Sequence, residues 1–219
     1  SSGLLAEITQ SYMQNKKLFF CLDGEDKLGK GVAGSYTAQS SIVFINEDKT
    51  QKEDLADTIT HEIVHYVQDM HGLLYFDDNW NIYDHQNATL SIEAAAKSLD
   101  LLFSFERELQ GNDNGHIAHA ISGTSDEPIY RAIKETYDIE REFDTPHKEA
   151  MRIAGEAGFY SFATSPFHTD FYNKRVASFY LKLLSLDKIE FPLQQNAKRL
   201  YYTQKSGSFA EDFNITADI

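Results

Sequence analysis

Thr58-Ile59-Thr60-His61-Glu62-Ile63-Val64-His65-Tyr66-Val67-Gln68 is the stretch on which the reading of this chain turns. From about Gln51 to His71 the apolar residues Leu55, Ile59, Ile63, Tyr66, Val67 and Met70 recur at helical spacing, and Gly72 follows as a natural helix-ending residue. At about 100° per residue, Ile59, Ile63, Tyr66 and Met70 gather on one side of that helix, and Thr58, His61, His65 and Gln68 on the other. One side is built to pack on a core. The other aims two imidazoles, four residues apart, at a single point, with Glu62 on the flank. Imidazole nitrogen is a favoured zinc ligand, so the polar side reads as half of a metal site. A solvated polar stripe is the alternative, but a His-Glu-x-x-His arises by accident only about 0.02 times in a chain of this composition.

Outward from the helix, Ser41-Ile42-Val43-Phe44-Ile45 is a β-branched and aromatic strand running into an acidic helix start, and Lys17 to Leu22 reads as a buried strand closed by Asp23-Gly24. Together they supply a sheet for the apolar side. Gly24, Gly29, Gly31 and Gly34 mark residues 23 to 34 as a loop; it lacks the Gly-Lys-Ser/Thr ending that a phosphate cradle needs, so a hairpin connection is expected. Leu4 to Asn15 has helical spacing. Beyond the central helix, Asn87 or Thr89 can cap a helix running to about Gln110, ended by Gly111-Asn112-Asp113-Asn114-Gly115. Further helices are expected over Pro128–Phe143, Pro146–Ala163 and Phe167–Leu186, with a shorter piece after Pro192 and a loose tail from Ser206.

The chain has 219 residues, 42% of them hydrophobic and 13% aromatic, enough apolar surface to require a core and to exclude a disordered chain. The expected fold is α+β and mostly helical: one domain, with residues 1–75 as a lobe holding the small sheet and the central helix, 76–205 as a helical lobe, and 206–219 as tail. A formal charge of −14 repels phosphate backbones and anionic bilayers, so neither nucleic acid nor membrane is an expected partner. No run approaches the roughly 18 apolar residues of a membrane span. Cys21, the single cysteine, sits in the apolar run Leu18–Leu22 and is expected to be buried, consistent with a reducing compartment. The chain opens on Ser1-Ser2-Gly3 without an initiator Met or a signal peptide, so upstream sequence is expected, and the setting reads as a cytosol, its own or a host's.

The order of strand Ser41 to Ile45, acidic linker and Leu55-Ala56-Asp57-Thr58-Ile59-Thr60-His61-Glu62-Ile63-Val64-His65 resembles the zincin metallopeptidases over about residues 34 to 97. That resemblance implies a zinc cofactor, His61 and His65 as ligands, and Glu62 as the general base for the attacking water. It also implies that the strand before the helix is an edge strand able to pair with an extended substrate. In motif and size the chain is similar to actin-cleaving effector proteases secreted by intracellular bacterial pathogens, which implies a host cytosolic protein such as actin as substrate.

Two imidazoles leave a zinc site one ligand short. His71 falls at the last position of the metzincin pattern His-Glu-x-x-His-x-x-Gly-x-x-His, but Gln68 stands where that pattern needs a turning Gly, and Gln extends a helix. Glu93, in Ser91-Ile92-Glu93-Ala94-Ala95-Ala96, lies near the start of the next helix as in the gluzincins, and its neighbouring alanines permit close helix approach. Glu93 is the preferred third ligand. It shares a wheel stripe with Lys97, Asp100, Ser104 and Arg107, which also suits a solvated face. Lys97 occupies the place of the gluzincin acidic residue, and Asp100 is a candidate for orienting a ligand instead. His116 and His119 form a further pair with metal-compatible spacing. Tyr160, His168 and Tyr172 are candidates for stabilising the oxyanion of a reacting carbonyl. The expected activity is zinc-dependent cleavage of a peptide bond; the alternatives are a metallohydrolase of non-peptide bonds and a catalytically silent zinc-binding interaction protein.

Overall fold

The computed structural model of the protein describes residues 18–23, 28, 32–38, 40–46, 55–74, 80–111 and 121–185. Among these, strands β1 (Phe19–Asp23), β2 (Gly34–Thr37) and β3 (Ile42–Asn46) are followed by helices α1 (Leu55–Met70), α2 (Ile82–Leu109), α3 (Glu127–Glu142), α4 (His147–Ala163) and α5 (Pro166–Ser185). The architecture is α+β and mostly helical. The expected helix near residues 4–15, the piece after Pro192, the tail from Ser206, and His116 and His119 lie outside the described residues. No helix among the described residues is long and apolar enough to cross a membrane.

The sheet has the order β1-β3-β2, with β1 parallel and β2 antiparallel to β3. Val43 and Ile45 of β3 are buried, as their branched side chains favour. The strand expected at the edge is therefore the central one. The strands flanking it are β1 and β2, and β2 falls partly within the stretch read as a glycine loop. Four residues, Gly34-Ser35-Tyr36-Thr37, carry too little hydrophobic alternation to announce a strand; pairing with β3, from Gly34 opposite Ile45 to Thr37 opposite Ile42, makes them one. Ser41 closes the hairpin with a φ of 52°. β1 also departs from expectation. Phe19, Phe20 and Leu22 are exposed and Cys21 is only half-buried, because an outer strand has one neighbour and little cover.

Two compact units divide the chain: Ser1–Tyr75 with Ile92–Ser165, and Phe76–Ser91 with Pro166–Ile219. Most of α2 and all of α3 and α4 fall in the same unit as the sheet and α1. Helix α2 contributes residues to both units. It starts earlier than the Asn87 or Thr89 cap, because Asn81 Oδ1 accepts from the backbone N–H of Tyr83 and Asp84 at 2.9 and 3.1 Å while Asp84 Oδ2 accepts from the Asn81 N–H at 3.1 Å. That reciprocal arrangement satisfies orphan donors at the helix start.

In the first unit, α1 packs across β2 and β3. Its buried residues are Thr60, Glu62, Val64, Tyr66 and Gln68, so cover is not confined to the apolar stripe. The opposite side meets α2: Ser104 donates to Asp57 at 2.8 Å and Gln68 donates to the Ile92 carbonyl at 2.9 Å. These two bonds set α1 and α2 antiparallel. Ala94 and Ala96 are fully buried, as small residues must be where helices crowd. Behind α2, Phe105 meets Tyr130 and Tyr137 of α3 edge to face at 6.1 and 5.2 Å. Helix α4 closes in through Gly155, whose carbonyl accepts from Ser98 at 2.6 Å, and Gly158. A Cβ at Gly158 would come within 2.7 Å of both Ile133 Cγ1 and Ser98 Oγ.

Within the second unit, Ile82, Val176, Ala177 and Tyr180 are buried, the Tyr180 hydroxyl hydrogen-bonds His85 Nδ1, and Gln86 donates to the Asn173 carbonyl at 3.2 Å.

Gly158→Ala should destabilise the first unit by about 1–3 kcal/mol, the usual cost of overpacking a close helix crossing. Urea unfolding followed by circular dichroism measures it, and an unchanged midpoint would refute the crowding.

Candidate metal centre

One turn of α1 separates His61 from His65, and both rings turn their Nε2 atoms to the same spot, 3.2 Å apart. Glu93, one residue along α2 from the carbonyl that receives Gln68, brings Oε2 to 3.6 Å from His61 Nε2 and 3.8 Å from His65 Nε2. The three side chains form the one group of potential metal ligands found among the described residues, their ligating atoms all within 4.8 Å of one another. Donors held at about 2.0–2.1 Å by a tetrahedral zinc ion stand about 3.3 Å apart. The observed spacings lie within about 0.5 Å of that value, so the group could hold a small tetrahedral cation. All three side chains are 12 to 19% exposed.

The electrostatics agree with this chemistry. Three atoms bearing lone pairs converge at low exposure, an arrangement that repels unless a proton or a cation sits among them. Burial of the His61 ring is the largest influence and works against its charged form, as does the nearby Lys97 charge, but the carboxylates of Glu93, Asp100 and Glu62 together outweigh them and raise its pKa. The site therefore attracts positive charge.

His65 is oriented from behind. Its Nδ1 stands 2.8 Å from Gln68 Oε1, and Gln68 Nε2 is engaged with the Ile92 carbonyl, which can only accept. The amide oxygen is thus left to accept the Nδ1–H, which fixes the tautomer whose Nε2 lone pair is free to ligate. Sequence reading saw Gln68 only as a residue that spoils the metzincin turn. Its place on the polar side of the wheel, three residues from a ligand, was the available sign of a supporting role.

Glu62 lies outside the ligand group and is 6% exposed. Burial raises its carboxyl to about 7, with the charge of His61 and a hydrogen bond from the Tyr36 backbone pulling the other way. The carboxylate rests against β2. A Cβ at Gly34 would stand 3.1 Å from Glu62 Oε1 and 2.7 Å from Thr58 Cγ2, so the strand can approach α1 this closely only because residue 34 has no side chain. Gly34 and the Tyr36 backbone were not legible as site elements, since their part depends on a pairing distant in sequence.

His71 does not join the cluster. Helix α1 continues through Gln68 to Met70, and His71 is exposed in the turn that follows, its N–H shared between the Val67 and Gln68 carbonyls at 3.2 Å. Glu93, not His71, is the residue brought to the two imidazoles. Tyr160 sits on the outside of α4 at 65% exposure. His168 is buried and Tyr172 half-buried, both in α5 within the second unit. Asp100 is 3% exposed and takes an ion pair from Lys97 at 3.0 Å, while Lys97 also reaches Asp126 at 3.4 Å. The stripe below Glu93 is therefore partly covered, with Asp100 and Ser104 buried and Lys97 and Arg107 part-exposed, and not the fully solvated face its polarity suggested.

The chain matches no protein-family model, no curated protein and no solved structure.

If Gln68 holds the His65 tautomer, Gln68→Ala should lower zinc affinity about 10- to 100-fold, in keeping with the loss of an outer-shell partner. Competition against a chromophoric chelator reads this directly; an affinity equal to the parent's would show that the amide does not support the ligand.

Proposed function

We propose that the protein is a zinc-dependent peptidase in which His61, His65 and Glu93 hold the ion and Glu62 acts as general base. The observation that carries this reading is the convergence of two imidazole nitrogens and a carboxylate oxygen at 3.2, 3.6 and 3.8 Å, with a second, buried carboxylate one residue from the first imidazole. Two His and one carboxylate are a hydrolytic donor set, since three protein ligands leave a coordination position free. When bound, zinc lowers the pKa of a water towards ~7 and polarises a carbonyl. Glu62 takes the proton of the attacking water and passes it to the leaving amine.

A peptide substrate is favoured over a small ester or amide by the course of β2. This strand has β3 as its single neighbour among the described residues, and it passes directly against Glu62 at Gly34 and Tyr36. An extended chain laid along its outer edge would receive main-chain hydrogen bonds beside the base, a mode that recognises polypeptide whatever its side chains. The negative charge of −14 suits a protein target that is neutral or basic overall, or one that presents a basic segment. A host cytosolic protein such as actin stands within the proposal on the resemblance alone.

Zinc-loaded protein should cleave at least one member of a panel of folded and unfolded proteins that includes actin, and 1,10-phenanthroline should stop it. Glu62→Gln, which keeps shape but cannot take a proton, should reduce cleavage about 10²- to 10⁴-fold while zinc content stays at one per chain. Full activity of Glu62→Gln would remove the general-base assignment.

A further inference from the structure

Three buried side-chain atoms among the described residues make no hydrogen bond, and two of them, His61 Nδ1 and Asp100 Oδ1, belong to the same helix pair. The register of α1 against α2 brings them level. Asp57 is bonded to Ser104, and Gln68 to the carbonyl of Ile92, so the helices run antiparallel. His61 lies one turn on from Asp57 in α1, and Asp100 one turn back from Ser104 in α2. A turn is about 5.4 Å in either helix, which returns the two residues to the same height on facing surfaces.

Their chemistry is complementary. A histidine that ligates through Nε2 carries its proton on Nδ1, and that N–H needs an acceptor once it is buried. Asp100 Oδ1 is an acceptor without a donor. Its other oxygen is engaged by Lys97 at 3.0 Å, and Lys97 reaches Asp126 at 3.4 Å, so the carboxylate is anchored by one oxygen and offers the other. A buried acceptor left unmet is costly, which gives both groups reason to find each other. The interior charge balance also fits: one ammonium between two carboxylates leaves a net negative charge behind a site that takes a cation.

We propose that Asp100 is the positioning residue for His61, accepting its Nδ1–H and holding its Nε2 toward the metal, with Lys97 and Asp126 fixing the carboxylate. This rests on the zinc reading of the site. It makes the two imidazoles separately supported, His65 by a neutral amide from its own helix and His61 by an ionised carboxylate from α2.

The test uses the full chain, with and without zinc. Asp100→Asn keeps the shape and one acceptor oxygen, and Asp100→Ala removes both oxygens. Zinc affinity, measured by chelator competition, should fall about 10- to 100-fold for Asp100→Ala and by less for Asp100→Asn. Long-range ¹H–¹⁵N spectra should place the His61 tautomer with its proton on Nδ1, and the Nδ1–H resonance should move upfield in Asp100→Asn. A residue that only stabilises the fold would leave that resonance in place. His61→Ala serves as the reference for loss of the ion. If the parent protein binds zinc, His61→Ala abolishes it, and Asp100→Asn leaves both affinity and the His61 resonance unchanged, the role of Asp100 is overturned and the zinc reading stands. If the parent binds no zinc the metal reading is overturned, and the His61 resonance in the metal-free protein still decides whether Asp100 holds the ring. Should Asp100→Ala fail to fold, Asp100→Asn alone carries the comparison.

Discussion

The antiparallel packing of α1 on α2 is the constraint from which the rest of the site follows. Neither helix holds a complete ligand set. One turn of α1 can aim two imidazoles at a point, but the third donor has to arrive from another helix at about the spacing a single ion imposes. Two hydrogen bonds about three turns apart, Ser104 to Asp57 and Gln68 to the Ile92 carbonyl, fix the mutual height of the helices. Glu93 is then delivered beside His61 and His65.

The same helix pair explains why so much polarity is buried in this part of the molecule. Glu62, Gln68, Ser104 and Asp100 are all nearly inaccessible. Burying such groups is costly unless each is met by a partner. Gln68 is met at both ends, by His65 and the Ile92 carbonyl, and Ser104 by Asp57. Lys97 stays charged despite burial, because the carboxylates of Asp100 and Asp126 outweigh the loss of solvent. An interior of this kind contributes less to stability than an apolar one of equal size. Its worth lies in holding a few atoms at fixed spacing.

On the other side of α1, the sheet does more than cover an apolar stripe. The short strand β2 lies against the motif helix at Gly34 and supplies a backbone N–H to Glu62. Glu62 is thus set between the His61, His65 and Glu93 cluster and a strand edge. Carboxylate and strand adjoin because the three-stranded sheet and one helix converge at a residue without a side chain.

By itself the sequence determined the elements whose signals are local. Periodicity and punctuation marked α1, α3, α4 and α5 to within a few residues, and four-residue spacing put His61 and His65 on one face. The nearness of Glu93 to the two imidazoles was legible as a preference, from its alanine neighbours and from Gln68 allowing α1 to run past His71, although Glu93 lies eleven residues into α2 and not at its start. The central position of β3, the existence of β2, the burial of Asp100 and the role of Gln68 were decided only in three dimensions. Each depends on a partner far along the chain. A strand of four residues is made by its neighbour, an edge is defined by which strand ends up outside, and a polar stripe on one helix is solvent or interior according to what packs against it. Local chemistry put two imidazoles on one face; tertiary packing set how near the Glu93 carboxylate comes to them.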